Sequence, residues 1–92
     1  MSVGPVRLGV VGDQFKDACR IISILWVSRS STSGDVAAVR DRDTSAVLWE
    51  CVTDTTRTYL GMSFGTYGMP APDGFRLSEI SSGVVYVYLR ET

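Results

Sequence analysis

Apolar and polar residues alternate along this chain in short bursts, which predicts β-strands rather than helices. Val85, Val87 and Leu89 fall on one face of a strand over 84–90, with Tyr86, Tyr88 and Arg90 on the other. In a segment over 45–52, Val47, Trp49 and Cys51 oppose Ala46, Leu48, Glu50 and Val52. Leu60, Met62 and Phe64 face one way in a strand over 58–64. Further strands are expected over 6–11, 35–40 and 75–80. The exception to one-sided patterning is 20–28, where Ile22, Ile24 and Trp26 alternate with Ile21, Leu25 and Val27, and only Ser23 is polar. A strand's side chains alternate between two faces, so this segment asks to be covered on both. A central core strand is one explanation, and a partner subunit that completes the burial is the other.

Turn signals recur every eight to twelve residues, the spacing of an all-β sandwich or barrel. Gly12-Asp13 starts a turn, and 14–18 reads as one helical turn or a loop. Residues 29–34 read as a flexible hairpin loop rich in Ser, closed by Gly34. Asp41 to Thr44 and Ser81 to Gly83 are tight turns. In the irregular stretch 65–74, Pro70 and Pro72 exclude a helix or a central strand. About seven short strands therefore point to a compact antiparallel β-sandwich of jelly-roll or immunoglobulin-like type, with a small barrel as the alternative. Residues 1–5 read as a flexible N-terminal arm before one domain over 6–92.

Ninety-two residues support a single domain with a thin core. No apolar run approaches the roughly 18 residues of a membrane span, and the N-terminus lacks the pattern of a signal peptide. Nine basic and ten acidic residues leave a net charge of −1, with no basic stripe for phosphates, so direct nucleic-acid binding is not expected. Cytoplasmic synthesis is the default. Were the strands around 20–27 and 45–52 parallel members of one sheet, Cys19 and Cys51 would lie at its opposite ends. Both are therefore expected to be reduced and buried.

The chain has no histidine, which removes Ser-His-Asp and Cys-His catalysis in their usual forms and His-bearing metal sites. Gly9 to Asp13 lacks the Gly-Lys-Ser/Thr ending of a phosphate loop, and the spaced glycines of 61–68 match no dinucleotide fingerprint. Asp41 and Asp43 are read as turn residues accepting backbone N–H bonds rather than as calcium ligands with Asp35. Glu50 and Glu79, on different strands, make no stronger case for glycoside chemistry. Neither a catalytic set nor a metal or cofactor site is expected.

The segments Asp13 to Ile22, Leu25 to Val27 with Ser33 to Asp35, Val39 to Asp41 with Val47 to Trp49, and Gly83 to Leu89 together resemble small virion proteins of tailed bacteriophages. The resemblance runs from about Val6 to Arg90. It implies a capsid decoration (cement) protein or a tail or fibre part, β-rich and often trimeric. Such a protein would bind the major capsid protein and stabilise the expanded shell by mass action. The expected interface comprises Val3, Val6 and Arg7 of the arm, Tyr67 and Met69 of the long loop, and Tyr86, Tyr88 and Arg90 of the last strand. Tyrosine and arginine suit interface centres because they join large area to polar tips. A carbohydrate- or receptor-binding fibre module is the alternative, with Trp26, Trp49, Tyr59 or Tyr67 stacking on sugar.

Overall fold

A computed structural model describes residues 5–30, 34–54 and 57–90. Among the described residues there are nine strands and no helix, arranged as two antiparallel sheets packed face to face. β1 (Val6–Leu8), β9 (Val84–Leu89), β3 (Cys19–Val27) and β6 (Leu60–Ser63) lie side by side in one sheet, with β7 (Met69–Ala71) also paired to β3. β2 (Gln14–Phe15), β8 (Phe75–Ile80), β4 (Val36–Asp41) and β5 (Val47–Val52) form the other. The sandwich expectation holds.

The core lies between the sheets. Ile21, Ile24, Trp26, Val85 and Val87 from the first sheet meet Ala37, Val39, Trp49, Phe75 and Leu77 from the second, all buried. The indole of Trp26 stands edge-on to that of Trp49, 6.3 Å between centroids and 84° between planes, which ties β3 to β5 across the layers. Phe15 stacks on its cross-strand neighbour Phe75 at 5.4 Å. Edge-on and offset rings avoid the repulsion of facing π-clouds, so both pairs add to the area they bury.

Bulges decide what the binary pattern left open. In the ladder between β3 and β9, Ile21 pairs with Leu89 and Ser23 with Tyr88, so Ile22 is an extra residue. An inserted residue moves everything beyond it to the other face. Ile21 therefore joins Ile24 and Trp26 in the core, in place of Ile22. A second irregularity pairs Val39 with Trp49 but Arg40 with Val47. Trp49 stays buried, whereas Val47 is exposed instead of sharing its face, and Leu48 packs partly on the core.

Five other expectations are corrected. The strand over 6–11 stops at Leu8, because the Asp13 carboxylate accepts N–H bonds from Gly9 (2.8 Å) and Val10 (3.1 Å) and turns the chain. Residues 14–15 form a strand rather than a helical turn or loop. Within 65–74, expected to be irregular, Met69–Ala71 pairs with β3, and because β7 has a neighbour on one side only the exclusion of a central strand at Pro70 stands. β3 and β4 do not pair as the expected hairpin, because they belong to different sheets. The same crossing places Cys19 and Cys51 in different sheets, which removes the premise used for them, while both are free thiols, half-buried rather than buried.

Candidate functional site

The face of the five-stranded sheet turned away from the core is built from the residues the bulge leaves outside. In register, Tyr86 lies between Arg7 and Leu25, and Leu25 faces Gly61. The next row is Tyr88, Ser23 and Ser63, and Val27 pairs with Val84 beyond. Ser23, Leu25, Val27, Val84, Tyr86 and Tyr88 are all half-buried. Gly61 keeps the surface low: a Cβ there would come within 3.3 Å of the Leu25 side chain. Beside it lies an open depression of about 430 Å³, lined by Ser23, Leu25, Met62, Ser63 and Tyr88 among others.

One end of this face carries arginines. Arg90 donates its backbone N–H to Arg20 O at 2.9 Å, which sets the two residues side by side on neighbouring strands. The Arg90 guanidinium lies over the Tyr67 ring, 5.7 Å from its centroid, a cation–π contact that holds both side chains over the loop. Arg7 stands at the far edge, where the Asp13 carboxylate feels its charge.

The residues expected at an interface thus divide. Arg7, Tyr86, Tyr88, Arg90 and Tyr67 border the outer face, and Tyr67 is 75% exposed. Val6 and Met69 pack partly against the core. Val3, with the rest of the arm before Pro5, lies outside the described residues. Of the aromatic residues named for sugar stacking, Trp26 and Trp49 belong to the core, while Tyr59 and Tyr67 are exposed. The contact of Leu25 with Gly61 was missed, because only the strand pairing reveals that β6 borders this face.

No protein-family model, curated protein or solved structure matches this chain.

A polar cluster buried near the same end of β3 as Trp26 has a structural character. The Arg29 guanidinium lies over the Trp26 ring at 5.6 Å, 3.5 Å from Asp35 Oδ2, and donates to the Arg57 carbonyl. Asp35 also accepts from Ser30 Oγ (2.8 Å) and Ser82 Oγ (3.1 Å), and Trp26 Nε1 donates to Ser82 O (2.8 Å). At the other end of β4, Asp41 Oδ1 accepts the N–H groups of Asp43 and Thr44, both at 2.9 Å. These bonds, the Thr44 one foremost, hold its carboxyl below the ordinary 3.8. Among the described residues no group of three His, Cys, Asp or Glu is placed to hold a metal.

Proposed function

We propose that this chain is a non-enzymatic virion structural protein of a tailed bacteriophage, a capsid decoration protein that assembles as a trimer and stabilises the expanded shell. The observation that carries a binding role is the outer face of the five-stranded sheet. Leu25, Val27, Val84, Tyr86 and Tyr88 offer a half-buried apolar and tyrosine surface with the composition that favours association. The virion setting comes from the resemblance of the segments quoted above. Repeated weak contacts over a lattice sum by avidity, so no single contact has to be strong.

Light scattering tests association, and co-sedimentation with the shells of the encoding phage tests the setting. The expected result is an oligomer that pellets with expanded shells and not with unexpanded ones. Replacing Tyr86 and Tyr88 by Ala should lower the bound fraction at least tenfold. A monomer that pellets with neither shell would overturn the proposal. Retention on a glycan array without shell binding would point instead to a fibre module reading sugar through exposed Tyr59 and Tyr67.

A further inference from the structure

On the outer side of the four-stranded sheet, Arg40 of β4 faces Arg76 of β8 directly across the ladder. Their chain neighbours Val39 and Leu77 belong to the core, so both arginines point outward, and both are half-buried. Like charges directly opposite one another on adjacent strands repel. Neither arginine forms an ion pair among the described residues. Instead both converge on one exposed residue, Ser45. Arg40 Nη1 donates to the Ser45 carbonyl at 2.9 Å, and Arg76 Nη2 donates to the Ser45 hydroxyl at 2.7 Å.

The turn after β4 sets Ser45 in this place. Its N–H donates to Asp41 O at 3.1 Å, and its φ of 62° is left-handed, which is uncommon for a residue other than glycine. The carboxylates nearby are committed or displaced. Asp41 Oδ1 accepts the N–H groups of Asp43 and Thr44. Glu50 and Glu79 flank Ala38, one outward position along β4 from Arg40.

The geometry points to a binding site for a phosphate or sulfate group, held between the Arg40 and Arg76 guanidiniums and the Ser45 hydroxyl. Each guanidinium keeps N–H donors beyond the one given to Ser45, and a hydroxyl that accepts a bond still has its own proton to donate. Charge-assisted bonds from a rigid guanidinium fork suit such anions. A single fork satisfies the two oxygens of a planar carboxylate, whereas donors converging from three side chains match a tetrahedral group. Binding would also relieve the repulsion between the two arginines. Glu50 and Glu79 on the same face oppose a long polyanion, so the site takes one compact group. Val47, paired with Arg40 and 49% exposed, offers apolar surface to the organic part of an ester.

This site lies on the sheet opposite the candidate face, so neither the binding role nor the virion setting proposed above bears on it. It is tested by titrating the ¹⁵N-labelled protein with sodium sulfate and sodium phosphate, with chloride holding the ionic strength fixed. Saturable shifts are expected at the amides of Arg40, Thr44, Ser45 and Arg76 and at both arginine side chains. R40Q and R76Q should each weaken binding about tenfold, the loss of one charge-assisted hydrogen bond. S45G keeps the turn and should weaken it less. R20Q/R90Q removes the neighbouring arginines of the other sheet and should bind as wild type. Unchanged amide positions away from the site show that each variant is folded. Glucose 6-phosphate and glucose 6-sulfate separate the sources: binding of either makes the ligand an ester group on a larger molecule, and exclusion of both makes it the free ion. The inference is overturned if neither inorganic ion gives saturable shifts, or if acetate moves the same amides as strongly. It is overturned equally if R40Q/R76Q binds as wild type or if R20Q/R90Q loses as much.

Discussion

Single side chains in this sandwich do work that their types alone would not assign. Arg29 lies in a loop expected to be flexible, yet it is 2% exposed and shares its charge with Asp35 over the Trp26 ring. Removing one partner of a buried pair leaves an uncompensated charge. Asp35→Ala should therefore lower stability in urea unfolding by about 3–5 kcal/mol, and Arg29→Met in the same chain should recover part of it. Cys19 offers a second test. Burial, aided by the Asp17 charge, raises its thiol from the ordinary 9.0 to about 11. The neutral thiol is favoured in the fold, so this stabilisation is complete below pH 9 and is lost as pH rises towards 11. The melting temperature of wild type should fall more steeply over that interval than that of Cys19→Ala. Parallel curves would mean that the thiol titrates alike in both states.

At the scale of elements, bulges decide which residues the core receives. Ile22 is the inserted residue that lets both Ile21 and Ile24 point inward. Deleting it should turn Cys19 to Ile21 over and carry Ile21 out of the core. The loss expected is that of a buried large apolar side chain, about 2–5 kcal/mol, read as a lower denaturation midpoint at unchanged slope. Replacing Ile22 by Thr keeps the inserted residue and should cost far less. The strand pattern at 84–90 was legible because nothing interrupts its alternation, and Val85, Val87 and Leu89 are buried as expected. The alternation at 20–28 and 45–52 breaks at Ile21 and Ile22 and at Val47 and Leu48, because an inserted residue leaves no mark in apolar and polar letters.

For the whole molecule, topology sets the kinetics. Among the consecutive strands of the described residues only β4 and β5 pair with each other; the strands otherwise alternate between sheets or pair with distant segments. Contacts between residues far apart in sequence must pay loop-closure entropy before they stabilise anything. Refolding from urea should accordingly take milliseconds to seconds by Trp fluorescence, with Trp26 and Trp49 reporting because they meet only when the two sheets close. Microsecond folding would show that local structure dominates instead. The same crossings place the interface candidates: Arg20, Tyr67 and Arg90 come from three separate stretches and meet at one end of one sheet.

By itself the sequence determined the all-β character, the last strand with its buried and outward faces, the turns at Asp41 and Gly83, and the absence of histidine chemistry. Those follow from local rules: side-chain period, turn residues and the presence or lack of a functional group. Tertiary structure alone decided which strands share a sheet, where the ladder slips, and that β3 and β4 lie in different layers with Arg29 buried. It also decided that the double apolar pattern of 20–28 resolves into a core face of Ile21, Ile24 and Trp26 and an outer face of Ser23, Leu25 and Val27. Each of these depends on partners distant in the chain, and the energy of a strand is set by what it pairs with and what lies over it.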